Sequence, residues 1–138
     1  MRRLLAPLAL AAAFLPALLA ACASSYEGFL KDGTSAEKLG PGRYRVVAIG
    51  NSFTDPVVAQ EFALLKCAEV TLAEQKDAFQ IVKADVRQQP GAMAGTTYAS
   101  RYDFEIRTVD RASVGETEFK TYDAKALWDR LSPKHIRK

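Results

Sequence analysis

Glu69 is the residue whose setting most invites chemistry. It lies four positions after Leu65 and three before Leu72, which on a helical wheel puts it inside an apolar stripe, about 20° from Val58. A carboxylate held there needs hydrogen-bond partners or a raised pKa. Asn51 and Thr54, just upstream in the sequence, are placed to supply them, as are Arg45 and a backbone amide. Asn51, Thr54 and Glu69 therefore form a candidate polar site beside the end of a strand. A lone internal acid lacks the second acid or base that catalysis needs, so the trio fits a structural network pinning a helix to a sheet better than an active site. Ser52, between Asn51 and Thr54, becomes a nucleophile only if a base oriented by an acid reaches it. The sole histidine, His135, stands six residues after Asp129 in a basic stretch. One histidine and one free cysteine do not make a zinc site. No Walker or dinucleotide glycine pattern occurs. No cofactor, metal or catalytic set is expected. Tyr98, Tyr102 and Phe104 alternate along a strand and are expected in the core rather than on a stacking surface.

The two thiols, Cys22 and Cys67, have different prospects. Met1-Arg2-Arg3 is a short basic start, Leu4 to Leu19 is apolar, and Leu19-Ala20-Ala21-Cys22 follows. Charge, apolar stretch and small residues come in the order of a secretion signal. The stretch falls short of the ~20 apolar residues of a membrane span, and Pro7 and Pro16 interrupt it. Leu19-Ala20-Ala21-Cys22 is similar to the lipobox of bacterial lipoproteins. The similarity implies a diacylglyceryl group on the Cys22 sulfur, cleavage between Ala21 and Cys22, and acylation of the new amine. Two or more acyl chains hold a protein stably at a bilayer. The membrane is thus the expected partner, with a further envelope protein beside it. Ala23 and Ser24 follow the cysteine; the lack of an aspartate there favours the outer membrane, facing the periplasm. Cys67 is left without a partner in its own chain. Such a thiol is buried, intermolecularly paired or reactive, and burial is the expected fate.

The elements that must position these residues read as follows. Residues 1–21 form the signal, 22–42 the lipidated cysteine and a flexible tether with a reach of roughly 25 Å, 43–131 a single domain, and 132–138 a basic tail. Removing the signal leaves 117 residues, enough for one small domain. Arg2 and Arg3 fall in the signal, so 17 basic side chains face 16 acidic ones in the mature chain. That balance carries no electrostatic footprint for nucleic acid. Arg43 to Gly50 is a strand, apolar enough on both faces to be interior to a sheet. Asp55 is a good N-cap and Pro56 a good first residue for a helix running to about Gln75. Its stripe comprises Val58, Phe62, Leu65 and Leu72, widened by Val57, Leu64 and Ala68. Ala78 to Val86 and Tyr98 to Val109 are strands, with Tyr102, Phe104, Ile106 and Thr108 sharing one face; a fourth strand is compatible with Glu116 to Tyr122. Gln88 to Thr97 is a Pro/Gly loop and the expected partner contact. Asp123 to Leu131 is a short helix that Pro133 ends. The first crossover has the length of a βαβ unit. The expected fold is α+β: a small mixed sheet of three or four strands, one long helix on a face and a short C-terminal helix.

Two resemblances bear on function. Gly42-Arg43-Tyr44-Arg45-Val46 through Gly50-Asn51, then Thr54, then Leu64-Leu65-Lys66-Cys67-Ala68-Glu69-Val70-Thr71-Leu72, resembles a family of small Gram-negative lipoproteins whose core reads GxYxV, GN with a nearby Thr, and LLxRAAELTL. Tyr122-Asp123-Ala124 matches a later piece. Lys66-Cys67 departs from the usual arginine-alanine, and Glu74-Gln75-Lys76-Asp77 lacks the usual glycine after the helix. The resemblance implies a lipoprotein of this architecture and no activity. Ile49 to Thr54 is also similar to the nucleophile segment of SGNH-type esterases, which makes Ser52 the nucleophile of an alternative hydrolase reading. The domain is about half the length that such an enzyme needs, and a non-enzymatic binding, structural or sensing module is the expected function.

Overall fold

The computed structural model describes residues 33–50, 55–89 and 99–136. Pro41-Gly42 sets the first element pair. Gly42 has φ +65°, a left-handed conformation that suits the third residue of a tight turn after proline. The turn folds strand β1 (Thr34–Gly40) antiparallel onto β2 (Arg43–Ile49), with Gly40 opposite Arg43. The reading of residues 22–42 as a tether is therefore corrected from Thr34 onward. β1 carries almost no apolar side chain, and its pairing comes from the turn rather than from burial. A Cβ on Gly42 would also stand 3.3 Å from Thr108 Oγ1. Gly42→Ala should lower the stability of the domain by about 1–2 kcal/mol, the cost of a left-handed L-residue; a urea titration measures it.

Asp55 opens helix α1 (Pro56–Ala73) as its residue type demands, accepting from Val57 N at 2.8 Å. The helix crosses to β3 (Ala78–Gln89), which continues past the expected end at Val86 through Gln89. β4 (Ala99–Val109) follows, then a 3-10 turn at Arg111–Ser113, the short β5 (Thr121–Asp123) and helix α2 (Ala124–His135). β5 is all that forms of the expected strand at Glu116 to Tyr122. Pro133 does not end α2: it sits exposed inside the last turn of the helix. The helix takes in residues 132–135 of the expected tail.

The fold is α+β, with a five-stranded sheet in the order β1-β2-β4-β3-β5. All neighbouring strands run antiparallel, which corrects the expected mixed sheet of three or four strands. β2 and β3 run the same way, as the β2–α1–β3 crossover requires, but β4 inserts between them: the arrangement is a split βαβ unit.

Both helices lie on one side of the sheet. The core there holds Tyr44, Val46 and Ala48 of β2, Phe79 of β3, and Tyr102, Phe104 and Ile106 of β4. From the helices come Ala59, Ala63, Leu65, Cys67 and Ala68 of α1, with Ala124, Leu127 and Leu131 of α2. The buried line of α1 is thus mostly small residues. Val58, Phe62 and Leu72 of the expected stripe are only half-buried, and Val57 is exposed. α1 is apolar nearly all round, and its small side lets the backbone approach the strands.

Candidate functional site

Of the expected polar trio, Asn51 and Thr54 lie outside the described residues, as do Ser52, Ala21 and Cys22. Glu69 is half-buried on α1, and Lys66, one turn earlier, puts its ammonium 2.9 Å from a Glu69 oxygen. The pair runs along the helix, with both side chains mostly covered: 15% of Lys66 and 23% of Glu69 remain exposed. Arg45, the other side chain expected to reach Glu69, is on the opposite side of the sheet and bonds Asp103 instead. Cys67 is fully buried, and that burial pushes its thiol well above the ordinary range. Tyr102 and Phe104 are core residues, packed edge to face at 6.0 Å; Tyr98 lies outside the described residues. Gln88 and Gln89 of the expected contact loop belong to β3.

A second polar contact joins the two helices. His135 Nε2 of α2 is 2.6 Å from Glu61 Oε2 of α1, and Phe62 meets the imidazole edge to face with centroids 4.8 Å apart. Lys134 adds its ammonium 3.5 Å from the other Glu61 oxygen. The acid beside His135 is therefore Glu61; Asp129 instead bonds Lys125 one turn away on α2. Partial burial works to raise the Glu61 pKa, but the His135 and Lys134 contacts outweigh it and hold the carboxyl below its usual range. A depressed carboxyl pKa adds stability above the unfolded-state value and loses it as pH falls through the folded-state value. Glu61→Gln should therefore cost about 1 kcal/mol at pH 6. The gap to wild type should close as the pH falls through the folded-state value, below which the carboxyl is protonated in both states. Urea midpoints across that range give the curve.

The side of the sheet away from the helices is charged. One cross-strand row reads Glu37, Arg45, Glu105, Lys83, with the sign alternating at every strand. The adjacent rows place like charges opposite one another: Arg43 and Arg107, Asp103 and Asp85, Arg101 and Arg87. Directly opposed like charges destabilise a strand pair, so these rows depend on neutralisation by their neighbours. Arg45 forks onto Asp103 at 2.9 and 2.5 Å. Arg101 approaches the same carboxylate at 3.7 Å, Arg87 bonds Asp85 within β3, and Arg43 bonds Glu105. The Arg45 fork holds the Asp103 carboxyl below its usual range despite partial burial. Leu39, Arg45, Lys83, Asp85, Arg87, Asp103 and Glu105 line a cleft of about 380 Å³ on this face. Its charges are largely satisfied internally. Among the described residues no three His, Cys, Asp or Glu side chains converge as a metal site would require, and no described helix is long and apolar enough to cross a membrane.

The Glu61–His135 contact escapes a reading of the sequence because 74 residues separate the partners and no local pattern links them. The charged rows are half-visible there: Arg101, Asp103, Glu105 and Arg107 alternate with the buried face of β4. No protein-family model, curated protein or solved structure matches the chain.

Proposed function

We propose that this chain is a lipid-anchored lipoprotein of the bacterial cell envelope, held at the outer membrane and facing the periplasm, whose α+β domain is a non-enzymatic binding, structural or sensing module. One observation carries the reading: a basic start and apolar stretch that end in Leu19-Ala20-Ala21-Cys22. The state of the other thiol supports it. Cys67 is fully buried, so Cys22 is the sulfur left for acylation. Small envelope lipoproteins with the GxYxV and LLxRAAELTL patterns are the family this reading points to. The test is the mass of the protein extracted from envelopes. A chain beginning at Cys22 and carrying acyl groups is expected; an intact Met1 end or a bare Cys22 sulfhydryl overturns the proposal.

The Glu61–His135 contact favours one second reading. An esterase with Ser52 as nucleophile needs an imidazole oriented by an acid, and His135, the sole histidine, has Glu61 beside it; Ser52 itself lies outside the described residues. Turnover of short acyl esters by the wild type, lost in Ser52→Ala, would establish that reading; no turnover by the wild type removes it.

A further inference from the structure

Among the described residues, the outer edge of β3 is open along most of its length. β5 pairs only with Ala78, Phe79 and Gln80, ending at Gln80 opposite Thr121. Among the described residues no other strand lies beyond it, so the backbone from Lys83 to Gln89 has a strand on one side only, namely β4. Open edges of this length present a template for another strand, and proteins blunt those they do not use. This one carries Val86 with 54% of its surface exposed. Ala84 beside it is exposed too.

The occupant follows from the charge pattern. Lys83, Asp85 and Arg87 alternate with Ala84 and Val86, so the charged residues share the open face and the apolar ones the helix side. In an antiparallel pairing of β3 with its own copy, same-face residues meet. Centring the two-fold axis on Asp85 opposes Asp85 to itself and Lys83 to Arg87. Centring it on Lys83 or on Arg87 opposes each of those cations to itself. Centring it on Ala84 brings Lys83 against Asp85, but it also lays Gln88 on Gln80, whose outer side β5 occupies, and runs through the irregularity between Ile81 and Lys83. Centring it on Val86 opposes Asp85 to Arg87 twice and Val86 to Val86, and it ends at Lys83, clear of both β5 and the irregularity. The other edge offers nothing comparable. Glu37 and Lys38 of β1 lie on opposite faces, so no self-pairing of β1 opposes unlike charges, and Lys38 is engaged with Glu74.

We infer that the protein forms a two-fold dimer in which the β3 edges of two copies pair antiparallel about Val86, with Asp85 of each chain against Arg87 of the other, making one continuous sheet through both domains.

Crosslinking of the full-length protein in its own membranes tests this. Residues directly opposed in antiparallel strands have Cα atoms about 4.5–5.5 Å apart, within disulfide range. Val86→Cys should therefore oxidise to a covalent dimer, whereas Leu39→Cys, exposed on β1, and the wild type should not. Asp85→Arg and Arg87→Asp, each added to Val86→Cys, should reduce crosslinking about tenfold or more, since two cross-strand pairs pass from attraction to repulsion. Both changes in one chain restore opposition of unlike charges and should restore crosslinking. The inference fails if Val86→Cys crosslinks no better than Leu39→Cys, if the product has the mass of a different partner, or if the double reversal does not rescue.

Discussion

Phe79→Ala should remove most of the stability of the domain. Phe79 is completely buried on β3. Its ring stacks on Tyr122 of β5 at 5.2 Å with the planes 9° apart. Cross-strand, it faces Thr108. It thus holds β5, and through β5 the start of α2, against the sheet. Truncating a buried phenylalanine costs about 3–5 kcal/mol, the lost transfer energy plus the cavity left behind. Small domains have about 5–15 kcal/mol in all, and one of this size belongs in the lower part of that range. The loss therefore consumes most of the margin. Phe79→Leu keeps most of the volume and the apolar contact but not the stacking, and should cost about 1.5 kcal/mol or less. Trp128, the only tryptophan, is packed against the core and reports unfolding by its fluorescence. A urea midpoint that falls sharply for alanine and slightly for leucine, with an unchanged slope, is the expected result. Equal effects would mean that the ring stacking on Tyr122, and not the filled volume, carries the energy.

What could be read in advance divides along physical lines. The start of α1 was legible because capping is local: Asp55 and Pro56 specify it within two residues. The inward face of β4 was legible because alternation is local too, and Tyr102, Phe104, Ile106 and Thr108 are all buried as expected. β1 was not, since Thr34 to Gly40 shows no apolar alternation; only the Pro41-Gly42 turn announces it, and glycine and proline also mark tethers. The facing of α1 was not, because a helix apolar on most sides does not declare which side meets the sheet. There the small residues Ala59, Ala63 and Ala68 win through close approach rather than through hydropathy. Strand order was hidden for a different reason. Insertion of β4 between β2 and β3 is a choice among long-range pairings that each strand alone satisfies equally. Glu69 lay within the apolar stripe on the helical wheel, yet its observed partner is Lys66 on the same helix, a contact available at that spacing to any lysine and glutamate.

On the reading proposed above, attachment to the membrane depends on one residue, and the largest effect expected of any substitution is at Cys22. On the proposed reading, the Cys22 sulfur carries the diacylglyceryl group and the Cys22 amine a further acyl chain. One chain binds a bilayer with an association constant of only about 10⁴ M⁻¹, whereas two or more hold stably. Serine cannot form the thioether, so Cys22→Ser removes both signals together: without the first modification the chain is not cut to expose the amine. The uncut leader would confuse the outcome, since Leu4 to Leu19 is itself apolar. The decisive form exports the Cys22→Ser chain behind a plain, cleavable secretion signal. That protein should appear in the soluble periplasmic fraction, while the wild type stays in the membrane pellet through an alkaline wash. Its urea midpoint should equal that of the wild-type domain, because position 22 lies well before the first described strand at Thr34. Retention of the serine form in the pellet would place the membrane contact in the domain itself, and the charged outer face of the sheet, with Leu39 and Val86 exposed at its two edges, is where it would then be sought.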